Sequence, residues 1–188
     1  MHRLRRLRHH PGLRALVREN RLDPSDFILP VFVTEVDPQI SPIASMPGVS
    51  RWPISHVAEI ALAADRMGLG GVLLFGIPAH KDATGSEASA EHGVVQRAIR
   101  QLRASGHEGV IVADVCLCEY TDTGHCGILD QTGALVEHAT NARLAATALS
   151  LAAAGADMVA PSAMMDGMVK AIREALDTRG FETVPVMA

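Results

Sequence analysis

Val110-Ile111-Val112-Ala113-Asp114-Val115 runs directly into Cys116-Leu117-Cys118-Glu119-Tyr120, and then into Gly124-His125-Cys126-Gly127. The first six residues are mostly apolar and β-branched, the pattern of a strand buried within a sheet. Polar chemistry gathers immediately after that strand, and it includes all 3 cysteines of the chain. Alternate side chains of an extended strand share a face, so the spacing predicts that Asp114, Cys116 and Cys118 project together. The Thr121-Asp122-Thr123-Gly124 turn is placed to fold Cys126 back toward them. Taken alone, this cysteine spacing admits buried thiols, a redox pair or a zinc site. A carboxylate and a histidine beside three sulfurs suit zinc with one open coordination position.

Working outward, the rest of the chain alternates strands with helices. Strand-like runs lie at residues 27–33, 71–75, 110–115, 157–161 and 183–187, each bounded by turn chemistry. Helical stripes follow Val57, Ile60, Ala61, Ala64 and Met67, with Ser55 as expected N-cap, and Val94, Val95, Ala98, Ile99 and Leu102, ending at Gly106. A third helix covers residues 137–154 and stops at Gly155. A fourth is expected after Ser162, with Met164, Met165, Met168, Val169, Ile172 and Leu176 as a core stripe and Gly180 beyond its end. Alternation of this kind implies parallel βαβ units with strands covered on both faces. A doubly wound sheet and a (β/α)₈ barrel both fit. Polar residues recur just after strands, which favours the barrel, whose sites sit at the strands' C-terminal ends.

Composition sets bounds. The 188 residues are 48% apolar with a formal net charge of -4, which argues against general nucleic-acid affinity. No apolar run reaches the ~18 residues of a membrane span. Three crowded cysteines suit a reducing cytoplasmic compartment better than a disulfide framework. The exception to the acidic balance is Arg3-Leu4-Arg5-Arg6-Leu7-Arg8, read as a basic arm against a neighbouring subunit rather than a targeting segment. The glycines near Phe75 and Lys81 do not form a phosphate-binding loop, since no Gly-Lys-Ser/Thr follows. His9, His10 and His56 are read as surface residues. His125 is open between a fourth ligand, an acid–base group and a loop histidine.

Several further motifs occur in order with the cysteine segment: Ser45-Met46-Pro47-Gly48-Val49, Leu74-Phe75-Gly76, Lys81-Asp82, Gly85-Ser86-Glu87-Ala88, Ala154-Gly155-Ala156-Asp157, Val159-Ala160-Pro161-Ser162 and Met164-Met165-Asp166-Gly167. Together with the basic arm they resemble the N-terminal part of the delta-aminolevulinic acid dehydratase (porphobilinogen synthase) family, of the zinc-dependent type. The resemblance implies an α/β, TIM-barrel lyase that condenses two 5-aminolevulinate molecules to porphobilinogen in heme biosynthesis. It implies a division into an arm and leading helix (residues 1–26) and the first part of a barrel (residues 27–188), with about five of eight strands. It also implies Zn²⁺ on Cys116, Cys118 and Cys126, catalytic roles for Asp114 and Ser162, a pocket-edging loop at residues 81–89, and a homo-oligomer, octameric in the family, joined through the arm.

The same resemblance exposes what is absent. The family's Schiff-base lysines, carboxylate-binding arginines and Mg²⁺ site belong to strands beyond residue 188. Lys81, read as lying in a mobile polar loop, and Lys170 are the only lysines here, and neither is expected at a strand end. The chain is therefore expected to be an incomplete copy, inactive as it stands and exposing an apolar inner sheet face. The alternative is a non-catalytic, zinc-binding paralogue that joins oligomers of a full-length enzyme. Ala163, Met168, residues 88–92 and Glu137-His138 depart from the family's common pattern.

Overall fold

A computed structural model describes residues 2–188. Six strands form one sheet in the order β2-β3-β1-β4-β5-β6: β1 Ile28–Thr34, β2 Ser41–Pro42, β3 Ser50–Pro53, β4 Gly71–Ile77, β5 Val110–Val115 and β6 Met158–Pro161. All pairings are parallel except β2 with β3. The helices are α1 Pro11–Leu16, α2 Val57–Arg66, α3 Val94–Ser105, α4 Glu137–Ala154 and α5 Met168–Thr178. The four longer ones follow the strand–helix alternation, and α4 packs against both α3 and α5. This is the α/β arrangement of an incomplete (β/α)₈ barrel.

Period-two burial sets the inside and outside of the sheet. Val31 and Val33, Val72 and Leu74, and Ile111, Ala113 and Val115 are buried beneath the helices. Of their alternates, on the face that a closed barrel would enclose, Phe32, Leu73, Phe75 and Asp114 are only half-buried, while Val112 in the middle of β5 is buried. Phe32 and Phe75 are register partners on β1 and β4 and stack there with ring centroids 5.2 Å apart. So the strands are apolar on both sides, but here the helices seal only one.

Some elements differ from the sequence reading. The short β2–β3 hairpin at the sheet edge was not foreseen, because proline ends both strands and each is brief. Residues 183–187 make a single parallel bridge, Val159 with Val186, rather than a strand. Pro185 has no N–H to donate there, and a turn closes from the Val184 N–H to the Phe181 carbonyl at 3.1 Å. Ser55 does not cap α2. A 3₁₀ turn over Ile54–His56 leads into the helix, and the Ser55 hydroxyl lies 2.9 Å from His56 Nδ1. The fourth long helix starts only at Met168, after Gly167 with φ 77°, so Met164 is 94% exposed and not part of the core stripe. His10 has a local role, accepting the Gly12 N–H at 3.0 Å and capping α1. Gly106 and Gly155 end α3 and α4 with positive φ, as read from the sequence.

Among the described residues up to Asp26, every one but Leu13 is exposed. Leu4, Leu16 and Leu22 each present their side chains to solvent. This segment therefore contributes little to the core it precedes. No helix among the described residues is long and apolar enough to cross a membrane.

Candidate metal centre

The sulfurs of Cys116, Cys118 and Cys126 all lie within 4.8 Å of one another, at the C-terminal edge of the sheet. The route by which they meet differs from simple strand alternation. β5 ends at Val115, so Cys116 and Cys118 stand on the turn that follows. That turn closes when the N–H groups of Tyr120 and Thr121 both donate to the Leu117 carbonyl, at 2.9 and 2.8 Å. Cys116 Sγ and Cys118 Sγ come to 3.4 Å as a result. A 3₁₀-like turn brings side chains together as strand alternation would have done, by a tighter path.

The donor set fits a tetrahedral ion. Zinc–sulfur bonds of ~2.3 Å at tetrahedral angles place sulfurs ~3.8 Å apart, close to the spacing here. The thiols are poorly suited to being charged without a cation. Burial pushes the Cys116 thiol up to about 11, and its proximity to Cys118, Cys126 and Glu119 modifies that value. Burial raises Cys118 further, aided by Cys116 and by the Glu119 carboxylate. The Cys118 thiol donates to Glu119 Oε2 at 3.2 Å. Three thiolates beside a carboxylate repel one another, and a bound dication would remove that penalty.

Asp114 lies at the end of β5, half-buried, and its strand neighbour is Ala160 of β6. Ser162, just past β6 and exposed, lies near enough to the Asp114 carboxyl to favour its charged form. Burial pushes Asp114 up to about 7; Ser162 beside it opposes the rise and the Glu119 charge adds to it. A carboxyl in that range is poised to exchange a proton near neutrality. The predicted pair thus sits together, on the same edge of the sheet as the cysteines.

His125 is a loop histidine. Its Nδ1 accepts the Gly127 N–H at 2.9 Å, and the metal-competent group among the described residues contains only the three cysteines. The loop over residues 81–89 is not loosely held. Asp82 forms a parallel bridge with Thr121, between two of the cysteines in sequence. Lys81 is exposed on that loop, and Lys170 is 79% exposed on α5, 3.8 Å from Glu174. Neither is a desolvated amine.

From the sequence, Tyr120, Glu119 and Gly76 carry no role of their own, and Thr121 is only the first residue of a turn. Tyr120 is buried behind the cysteine turn, and Gly76 makes room for its ring. The Asp82-x-Thr84-x-Ser86 pattern was a usable signal, because such spacing favours a side chain folding over its own backbone.

A family model described as delta-aminolevulinic acid dehydratase matches residues 1–188. The chain belongs to the delta-aminolevulinic acid dehydratase family. It is 49% identical over 186 residues to the delta-aminolevulinic acid dehydratase of Archaeoglobus fulgidus, covering 99% of this chain and 57% of that one. Against the Bacillus subtilis relative of the same name it is 45% identical, with the same coverage. A solved structure of the Toxoplasma gondii delta-aminolevulinic acid dehydratase (porphobilinogen synthase), in complex with the reaction product porphobilinogen, superimposes with a TM-score of 0.95 at 37% identity. It is covered over 53% of its length and covers 99% of this chain. The chain therefore spans between half and two thirds of the relatives it matches.

Proposed function

We propose that this chain supplies the metal-bearing part of a porphobilinogen synthase acting in the cytoplasm on two molecules of 5-aminolevulinate. The observation that carries the reading is the convergence of the Cys116, Cys118 and Cys126 sulfurs at the strand ends, within a family whose relatives are aminolevulinate dehydratases. Zn²⁺ is the ion the donor set favours, since thiolates select soft cations and leave tetrahedral zinc a fourth position. When bound, it supplies a Lewis acid at that position.

The chain's own side chains divide the remaining work. Cys116, Cys118 and Cys126 hold the ion. The Asp114 carboxyl holds or releases a proton at its Oδ atoms, with the Ser162 hydroxyl orienting it and available to a substrate oxygen or nitrogen. Tyr120 and Leu117 wall the turn from water, being 7% and 0% exposed. Imine formation requires an amine of lowered pKa, and exposed Lys81 and Lys170 do not provide one. In this reading the imine-forming amine is neither of this chain's two lysines, and a Mg²⁺ site, implied by resemblance for the full-length protein, would use residues this chain does not carry. The exposed basic segment over residues 1–26 is proposed as the arm that joins copies into a homo-oligomer, with residues 27–188 as the barrel portion. Its uncovered leucines suit burial against a partner.

The test is a fusion of this chain to the portion of the Archaeoglobus fulgidus relative that it does not match. The fusion is expected to form porphobilinogen from 5-aminolevulinate, while the 188-residue chain alone and a fusion carrying Cys118→Ser do not. A folded fusion that binds zinc and forms no product would overturn the proposal.

A further inference from the structure

Asp82 folds its carboxylate over the residues that follow it. Oδ1 accepts the Thr84 N–H at 2.7 Å, the Thr84 hydroxyl at 2.8 Å and the Ser86 N–H at 3.2 Å, while Oδ2 takes the Ser86 hydroxyl. This fixes the chain direction at Asp82, so that its own peptide groups meet the cysteine loop. The Asp82 N–H donates to the Tyr120 carbonyl, and the Asp82 carbonyl accepts the Asp122 N–H, both at 3.2 Å. Those two bonds bracket Thr121.

Thr121 in turn is the hinge point of the cysteine loop. It is 1% exposed, and its hydroxyl donates to the His125 carbonyl at 2.7 Å, next to Cys126. Its N–H donates to Leu117, the residue between Cys116 and Cys118. Gly85 lies against Leu117, Tyr120 and Thr121, closing the contact between the two loops. Both legs of the loop that brings Cys126 to the other sulfurs are therefore tied to one residue, and Asp82 clamps that residue.

We infer that Asp82 is a positioning residue for the metal centre, holding Thr121 so that Cys118 and Cys126 face one ion. The inference rests on the reading of the three cysteines as a divalent-metal site. Metal ligands depend on outer partners of this kind, whose loss typically weakens affinity by about 10- to 100-fold.

Zinc affinity, measured by competition with a chromophoric chelator, and Co²⁺ absorption, which reports sulfur ligation, provide the test on the full chain. Asp82→Ala is expected to weaken zinc binding about 10- to 100-fold and to reduce or shift the sulfur-to-cobalt charge-transfer band. Asp82→Asn keeps an acceptor at Oδ1 and is expected to recover most of the affinity. Thr121→Val removes the tie to His125 and is expected to weaken binding to a similar extent; it decides the matter should Asp82→Ala fail to fold. Affinities and spectra equal to wild type in the folded variants overturn the role of Asp82. A wild-type chain that binds neither ion overturns the metal reading itself, and this inference with it.

Discussion

Gly76 and Tyr120 share a space that admits no side chain at residue 76. A Cβ there would run into the Tyr120 hydroxyl and would lie 2.7 Å from a Val95 methyl and 2.8 Å from one of Val94. The end of β4, the start of α3 and the residue behind the cysteine turn are thus packed against a single backbone position. Close approach of this kind is what makes glycine necessary, since φ at Gly76 is not positive.

Gly76→Ala is accordingly expected to destabilise the fold by about 1–3 kcal/mol through overpacking, and to displace Tyr120. Urea unfolding measures the first effect. Near-ultraviolet circular dichroism, in a chain with a single tyrosine and a single tryptophan, reports the second. A variant as stable as wild type would show that Tyr120, Val94 and Val95 yield more readily than their packing implies.

Asp65 and His107 form a second dependency, away from the cysteines. His107 Nδ1 lies 2.9 Å from Asp65 Oδ2, and the same carboxylate accepts the Glu108 and Gly109 N–H groups at 3.3 and 3.2 Å. Burial pushes the Asp65 pKa up, but the His107 ring and those two N–H groups outweigh it and hold the carboxyl below its ordinary value. A carboxyl depressed in the folded state stabilises the fold fully above its unfolded pKa of ~3.9. That contribution is lost as pH falls through the lower folded value. The gap in unfolding free energy between wild type and Asp65→Asn is therefore expected to be full at pH 5 and to narrow toward pH 2. A gap that widens on acidification would contradict this.

Zinc should act on stability by mass action if it binds the folded loop and not the unfolded chain. Free Zn²⁺ at 100 times its dissociation constant is expected to add about 2.7 kcal/mol, and a chelator to remove that increment. Thermal melts of wild type and Cys126→Ser, with and without zinc, check this: only wild type should respond. An equal response in both would place the ion elsewhere.

Much of this architecture was legible in the residues. Val110–Val115 was read with its correct bounds because an unbroken apolar run met clear chemistry at its end. Glu137–Ala154 was readable too, since Gly155 supplies the left-handed residue that stops it. The cysteine cluster was visible from composition, but its path was not. Strand alternation explains facing side chains at 114 and 116 only while the strand lasts, and the Leu117 carbonyl's two bonds end it early. The β2–β3 hairpin was hidden because Ser41–Pro42 and Ser50–Pro53 carry no periodicity to detect. The clamp at Asp82 was hidden for another reason: its partner Thr121 is distant in sequence, and nothing local marks a contact between two loops.

The most direct measurement is titration of the reduced, metal-free chain with Co²⁺, followed by absorption spectroscopy and back-titration with Zn²⁺. One equivalent should bind, with sulfur-to-metal charge-transfer intensity matching three thiolates and tetrahedral ligand-field bands, and zinc should displace it; Cys116→Ser, Cys118→Ser and Cys126→Ser should each diminish that intensity. Absence of charge-transfer bands in folded wild type, or a spectrum indifferent to all three substitutions, would contradict the claim that these sulfurs share an ion.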